Sequence, residues 1–402
     1  MRATERQRGS GQQRPAWPGN AMKAAIVGTG WMAAVHTEAL RRIGVEVVGM
    51  VGSTAERTRS KANPLLPEPY DSLDELLAVA DLDAVHITSP NDVHAAQARA
   101  AIAAGKHVIC EKPLGVDAAE TAELVALAAS AGVVNAMCFN ARFYPHNQHA
   151  AALVRAGEIG QPRLISGQYL QDWLLLDTDW NWRLDASRQG SLRAVADIVS
   201  HWLDLVQFVS GQRVVEVFAD LHTFIAERRR PAGEVETFAA ASVDADVPRV
   251  REQMHSDDAA GLLLRFDGGA RGVCTISQVA AGRRNRLAWE IDGDTSALAW
   301  AADDPDHLWI GHRGRPNEIV EKDPALLTPE GAAATAFPGG HVEGYPDTFR
   351  ALLTAVYHDI AEGRPADEPT YPTFAEGHDI MAVCDAITAS ASSASWAKVD
   401  RR

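Results

Sequence analysis

The sequence predicts a two-part α/β chain: a parallel, doubly wound sheet first, then an α+β domain built on a large, mainly antiparallel open sheet. Three observations lead there. Short apolar strands alternate with helical periods between residues 22 and 143, the pattern of βαβ crossover units. A glycine-rich turn joins the first of those strands to the first helix. From residue 144 onward, runs that alternate polar and apolar residues replace the crossover pattern, as in antiparallel strands with one face on a core.

At 402 residues, and roughly 150 residues per domain, the chain has room for two or three domains with sizeable cores. A formal charge of -15 argues against nucleic acid or an anionic membrane as the main partner, since either needs a basic face. A small neutral substrate fits better. Cys110, Cys138, Cys274 and Cys384 are widely spaced among apolar neighbours, which suits reduced, buried thiols rather than a disulfide framework or a zinc site. No apolar run reaches a membrane span and no signal-peptide centre is present, so a cytoplasmic location is expected. Residues 1–21 scatter Arg2, Arg6, Arg8 and Arg14 among Gly, Gln, Ser and Pro. That is the composition of a disordered tail, and Met22 is an alternative start.

Lys23–Val27 is a short apolar strand, and Gly28-Thr29-Gly30-Trp31-Met32-Ala33 follows it directly, leading into the helical period of residues 34–43. In a strand-turn-helix setting, G-x-G-x-x-A is a dinucleotide fingerprint. The first glycine turns the chain, the second lets a pyrophosphate approach, and Ala33 lets helix and strand pack closely. Free N–H groups at the helix start would take the phosphate. Residues 45–51 form the second strand, but Gly52-Ser53-Thr54-Ala55-Glu56-Arg57 stands where an acid would bind a ribose diol. Ser53, with Thr54 beside it, can donate to a 2'-phosphate and Arg57 can neutralise it, which favours NADP over NAD. Ser53 and Thr54 would equally serve as helix caps.

The alternation continues with a helix capped by Ser72 and running to Val79, a strand at 83–88, a helix at 91–104, a strand at His107–Cys110, a helix at 117–131 and a strand at 133–138. Ligands of such sheets gather at the strand C-termini. Three loops leave those ends: 28–32, 88–94 and 111–114. They make Gly28, Thr29, Gly30, Trp31, Met32, Ser89, Pro90, Asn91, His94, Glu111, Lys112 and Pro113 candidate cofactor contacts, although a histidine placed like His94 is as often a capping or surface residue.

The second part, residues 144–402, opens with a helix at 146–156 and continues with strands at Leu164–Leu170, 261–266, 272–278 and 287–291, separated by turns such as Asp267-Gly268-Gly269. One broad sheet face is a plausible oligomer surface. Residues 226–258 are polar and charged, and an exposed excursion is expected there. Residues 168–183 set Trp173, Trp180 and Trp182 among hydrogen-bonding side chains that include Gln171 and Arg183. Aromatic faces beside polar groups suit a sugar, whose C–H faces stack while its hydroxyls need donors and acceptors. A strand and loop filling a core would look the same.

Residues 195–209 are helical by period. At ~100° per residue, Asp197, His201 and Asp204 fall within about 60° of one another, opposite Ile198, Trp202, Leu205, Val206 and Val209. A solvated face has that pattern. So has a histidine whose ring a carboxylate four residues away holds and makes more basic.

With these segments assembled, the chain resembles the Gfo/Idh/MocA oxidoreductase family along residues 22–402. The resemblance rests on Gly28-Thr29-Gly30-Trp31-Met32-Ala33, Thr88-Ser89-Pro90-Asn91-Asp92-Val93-His94, Glu111-Lys112-Pro113-Leu114 and Asp197-Ile198-Val199-Ser200-His201-Trp202-Leu203-Asp204. It implies a Rossmann domain (22–143), a substrate-binding and oligomerisation domain (144–402), and pyridine-nucleotide redox chemistry on a secondary carbinol of a sugar, glycoside or cyclitol. On this sequence Lys112 would hold the reacting oxygen, His201 would serve as general base in oxidation, and Asp197 would position substrate and histidine. The peptide before Pro113 is often cis in relatives, and Val199 stands where many relatives have glycine.

The candidate substrate contacts are then Lys112, Arg142, Gln171, Trp173, Trp180, Arg183, Asp197 and His201. His341 and Tyr345 join them through Gly340-His341-Val342-Glu343-Gly344-Tyr345, before a helix at 347–361. A final helix at 374–391 looks like the family element that packs back across the fold. A dimer or tetramer through the C-terminal sheet is expected, and no metal. Two other readings of the same scaffold are a glycoside-cleaving enzyme that uses NAD transiently and a non-catalytic sugar sensor.

Overall fold

The computed structural model describes residues 21–61, 66–79, 81–185, 192–232 and 248–402. The expected N-terminal tail lies almost wholly outside them. In the first part, β1 (Lys23–Val27), α1 (Trp31–Ile43), β2 (Glu46–Val51), α2 (Ala55–Ser60), α3 (Leu73–Leu77), β3 (Ala84–Ile87), α4 (His94–Ala103), β4 (His107–Cys110), α5 (Ala118–Ala131) and β5 (Asn135–Met137) follow in turn. The strands form one parallel sheet in the order β2-β1-β3-β4-β5. All of β3 is buried, as expected where helices cover both faces of a parallel sheet. Ser72 caps α3 as predicted, and Asp117, where a helix was expected to begin, caps α5, each side chain accepting a backbone N–H.

In the second part α6 (Pro145–Arg155) leads to β6 (Leu164–Leu170), α7 (Ser200–Ser210), β7 (Val214–His222), β8 (Glu227–Pro231), β9 (Arg249–Gln253), β10 (Ala259–Phe266), β11 (Arg271–Ser277), β12 (Arg286–Asp292), β13 (Ser296–Ala301), β14 (His307–His312), β15 (Glu318–Glu321), α8 (Pro329–Ala334), α9 (Tyr345–Ala361), α10 (Phe374–Ser393) and β16 (Ala397–Lys398). Nine strands make one sheet in the order β15-β14-β13-β12-β6-β11-β10-β7-β16. Its pairs are antiparallel except β6 with β11. Along β10, Ala260, Leu262, Leu264 and Phe266 are buried while Leu263 is exposed, so one face carries the core. Of the stretch expected to be an exposed excursion, residues 233–247 lie outside the described residues; the rest contains the largely exposed antiparallel pair β8–β9 but also the fully buried Arg228.

Two late helices return to the first part. Phe349, Leu352, Leu353 and Val356 of α9 are buried with Leu40 and Ile43 of α1. Each such side chain contributes about 1.5–3 kcal/mol on burial. Helix α10 begins with a reciprocal capping box between Thr373 and Glu376. It then packs on α5, β5 and β7 and so touches both sheets. It also packs on α7 and so holds β5 and α7 in one layer of contacts.

Candidate active site

The glycine loop has the geometry its sequence requires. Gly28 has φ +126, and a Cβ there would lie 2.5 Å from Thr88 Oγ1 and 2.8 Å from the Thr88 carbonyl carbon. A side chain is excluded on both counts. At Gly30 the situation is the opposite, because a Cβ would meet no protein atom within 4 Å. Internal packing does not demand glycine at that position. Open space beside the start of α1, whose first turn carries no acid and no side-chain cap, fits a pyrophosphate held by backbone N–H groups. Past β2, Thr54 Oγ1 accepts the Arg57 N–H at 3.1 Å and caps α2. The capping alternative therefore holds for Thr54, while Ser53 stands exposed and Arg57 partly buried at the rim.

The middle loop corrects one expectation. His94 is fully buried, with Nδ1 2.7 Å from Pro113 O and Nε2 2.8 Å from Ser89 O. Both ring edges lie against carbonyl oxygens. The residue is a strut between the 88–94 and 111–114 loops rather than a ligand contact. Ser89 Oγ is itself bound to Gln97 Oε1 at 2.5 Å.

Lys112 follows β4, and its peptide bond to Pro113 is cis. Its Nζ donates to Asp197 Oδ1 at 2.8 Å and to Asp197 O at 2.7 Å. The same carboxylate accepts Arg183 Nε at 3.1 Å on Oδ1 and Gln278 Nε2 at 2.8 Å on Oδ2. Burial pushes the Asp197 carboxyl up, but the Arg183 and Lys112 charges and the Lys112 hydrogen bond outweigh it and hold the group below the usual carboxylate range. Asp197 lies in a widened turn, 195–199, in which the Ser200 N–H reaches back five residues to Val195 O. That turn aims the carboxylate at Lys112, Arg183 and Gln278. The expected bond from Asp197 to the His201 ring is absent: His201 makes no hydrogen bond among the described residues. Its partly buried ring lies between Phe139 and Tyr169, centroids 6.1 and 6.2 Å away. Burial and then the Lys112 charge push its pKa down to about 3, so the ring is neutral.

Beneath Lys112, burial of Glu111 is outweighed by a hydrogen bond from His36 and by the Lys112 charge, so its carboxyl is held low. His36 Nε2 lies 3.2 Å from Glu111 Oε1, His36 Nδ1 2.8 Å from His86 Nδ1, and His86 Nε2 2.9 Å from Tyr357 OH. A carboxylate only accepts, so the protons are ordered: Tyr357 donates to His86, His86 to His36, and His36 to Glu111. His36, Glu111 and Cys138 are the one trio of metal-capable donors grouped within 4.8 Å among the described residues.

The remaining candidates divide. Arg183 is brought to Asp197, and its guanidinium stacks 4.6 Å from the Trp182 ring. Tyr345 stacks on Trp31 at 5.6 Å, and its hydroxyl lies 3.6 Å from Met32 Sδ, beside the glycine loop. Gln171 is buried and donates to Asn285 Oδ1 at 2.8 Å, which also accepts from Tyr169 OH at 2.8 Å. Trp180 packs on a small cluster of Leu174, Leu184 and Met254, as the core-filling alternative predicted, and Trp173 is partly buried nearby in sequence. Two placements are corrections. Arg142 makes a bidentate pair with buried Asp204, at 2.8 and 2.5 Å, on the side where Glu376 and Asp379 of α10 act on Asp204. Its donors are turned from the Lys112 centre. His341 is exposed; its ring Nδ1 lies 3.3 Å from the neighbouring Gly339 O, and its backbone oxygen accepts Lys322 Nζ at 2.6 Å. Sequence reasoning missed Gln278, the last residue of a strand it had placed, because nothing local marks that residue as the partner of Asp197.

Residues 22–139 match the oxidoreductase family with an NAD-binding Rossmann fold, and residues 147–299 match the GFO/IDH/MocA C-terminal domain. Levoglucosan dehydrogenase of Pseudarthrobacter phenanthrenivorans is 30% identical over 325 residues, covering 79% of this chain and 80% of that protein. Myo-inositol 2-dehydrogenase of Thermotoga maritima is 27% identical, with 86% and 90% covered. Among solved structures, levoglucosan dehydrogenase with NADH and L-sorbose superposes with a TM-score of 0.84 at 26% identity, over 95% of this chain and 100% of that one. Matched in both of its parts, the chain belongs to the Gfo/Idh/MocA family of NAD-binding oxidoreductases.

Proposed function

We propose that this oxidoreductase transfers a hydride between a nicotinamide and a secondary carbinol, or the matching ketone, of a neutral sugar, anhydrosugar or cyclitol. The carrying observation is the convergence of Lys112 and Asp197, 85 residues apart in sequence, at 2.8 Å beside the neutral His201. An ammonium has three donors. Asp197 takes two of those of Lys112, and the third would meet a substrate oxygen, steadying negative charge as it develops there. Neutral His201 takes the hydroxyl proton during oxidation and returns it during reduction, an effect typically worth about 10²–10⁴-fold. Asp197 orients Lys112 and is not itself the base. Bound on the glycine loop, the nicotinamide would supply the hydride acceptor or donor. Names of relatives acting on levoglucosan and myo-inositol support the substrate class.

For the cofactor we favour NADP, with NAD as the other candidate: β2 ends at Val51 without a following acid, and exposed Ser53 and partly buried Arg57 flank the place a 2'-phosphate would occupy. A homo-oligomer through the C-terminal sheet is supported by Leu263 and Val273, exposed at 47% and 40% on β10 and β11. A monomer mass by light scattering would remove it.

The test of function is the pair Lys112→Ala and His201→Ala, assayed by reduced-nicotinamide absorbance on a sugar and cyclitol panel. Each is expected to lower kcat/KM by about 10²-fold or more while still binding NADH. Turnover of both within a few-fold of wild type would rule the mechanism out.

A further inference from the structure

We propose that the β8–β9 arm is a brace for the substrate wall, with buried Arg228 and Asp258 as positioning residues that hold the tryptophan-bearing segment 173–183 against the turn carrying Asp197. The proposal rests on the Lys112, Asp197 and His201 site described above. Segment 173–181 contains no regular helix or strand, so its carbonyl groups need partners from elsewhere. Arg228 supplies them from a fully buried position. Its Nη2 donates to Leu174 O at 2.9 Å, and its Nη1 to Leu176 O at 2.9 Å and to Asp179 O at 3.4 Å. A planar guanidinium can serve three carbonyls of one loop at once, whereas a lysine ammonium offers a single point.

Asp258 ties that guanidinium to the rest of the site. Its Oδ1 accepts Arg228 Nη2 at 3.0 Å and also pairs with buried Arg193, and its Oδ2 accepts the Ile225 N–H at 2.8 Å. Next to it, Asp257 accepts the N–H groups of Arg193 at 2.7 Å and Val195 at 2.8 Å, and Arg193 O accepts the Asp197 N–H at 2.9 Å. The turn holding Asp197 thus hangs from Asp257. On the other side the Gln278 N–H donates to Asp258 O at 2.9 Å, Gln278 O accepts the Leu174 N–H at 3.2 Å, and Gln278 Nε2 reaches Asp197. Gln278, Asp258, Arg228 and Leu174 therefore form a closed circuit of bonds, and Gln278 ties Asp197 to it. Outside it, Arg229 grips Asp177 through two bonds of 2.8 and 2.9 Å, and Arg249 Nη1 donates to Thr178 O at 3.0 Å. Burying two arginines and two aspartates costs desolvation that apolar side chains would avoid. What the charges add is a fixed geometry: each bond ends on a segment that lines or supports the site.

The experiment uses the full chain with Arg228→Lys and Asp258→Asn, and Arg163→Ala, an exposed residue remote from the brace, as control. Amide hydrogen exchange of residues 172–185 is expected to speed up about 10-fold or more in the two brace variants, the scale of one lost hydrogen bond to a charged group, with exchange in β1 and β2 unchanged. With levoglucosan or myo-inositol as probe, KM should rise about 10-fold while kcat stays within about 3-fold and NADH affinity is kept. Unchanged exchange at 172–185, or a fall in kcat at constant KM, would overturn the brace. If wild type turns over neither probe, the proposed function fails on its own, and the exchange measurement still decides the brace.

Discussion

Lowering the pH should leave the proton-accepting form of His201 intact far below the range in which histidines usually titrate. In the structure its partly buried ring lies between Phe139 and Tyr169 in the field of the Lys112 ammonium, and desolvation and that charge push its pKa down to about 3. An ordinary histidine, with pKa about 6.5, keeps only about a tenth of its base form at pH ~5.5. His201 would keep nearly all of it. For oxidation, kcat/KM reports the free enzyme's essential base, so it should be flat to within about 2-fold between pH ~8 and ~5.5, where an unperturbed base would give about a 10-fold fall. Initial rates of reduced-nicotinamide formation check this, with far-UV circular dichroism at each pH to show that the protein is folded. In Lys112→Met the largest charge opposing protonation is gone, and the His201 imidazole should titrate at higher pH by NMR than in wild type. A wild-type kcat/KM limb centred near pH ~6.5, or an imidazole unmoved by Lys112→Met, refutes the assignment of His201 as a neutral base under the field of Lys112.

The same burial makes the fold acid-labile. His201 and His146 have folded pKa values of about 3 and about 4, below the unfolded value near 6.5. The unfolded chain then binds more protons as the pH falls through that value. Their contribution to stability is complete above it and is lost on acidification, by about 2 kcal/mol each at pH ~5 and about 4 kcal/mol together. Urea midpoints at pH ~8 and ~5 measure the loss, and equal midpoints would refute it. In the cofactor site, Arg57→Ala should raise KM for NADP about 10-fold and leave NAD kinetics unchanged, since only NADP carries the 2'-phosphate; equal effects on both, or none, would remove Arg57 from cofactor choice.

Much of the first sheet was legible because its signals are local. His107–Cys110 has the expected bounds, and Ser72 caps a helix as the sequence predicted. A strand buried on both faces reads as an apolar run, and a cap needs only the next few residues. Lys112 was legible for the same reason, standing at the end of such a strand. Periodicity failed at residues 195–199. A constant ~100° step put Asp197, His201 and Asp204 on one stripe, but the five-residue hydrogen bond from Ser200 to Val195 changes the phase there. Asp197 consequently meets Lys112, and Asp204 meets Arg142.

The brace explains why the segment 226–258 was misread, and the cause is general. Arg193, Arg228, Asp257 and Asp258 are buried together, yet the Arg193–Asp258 and Arg228–Asp258 pairs join residues 65 and 30 apart in sequence. Composition sees Arg228 among Arg229 and Arg230 and reports a solvated run. Only the folded β8, which buries Arg228 and leaves Arg229 and Arg230 exposed, separates a buried fork from its two surface neighbours. A period-2 reading would put Arg228 and Arg230 on one face and would have rejected that face as the inner one, because it carries charge. The apparent violation is the informative feature: a charge tolerated on the inner side of a strand implies an opposite charge brought there by the fold, in this chain Asp258. In a polar segment, then, an arginine at an inward strand position deserves to be tested as an anchor before it is counted as surface.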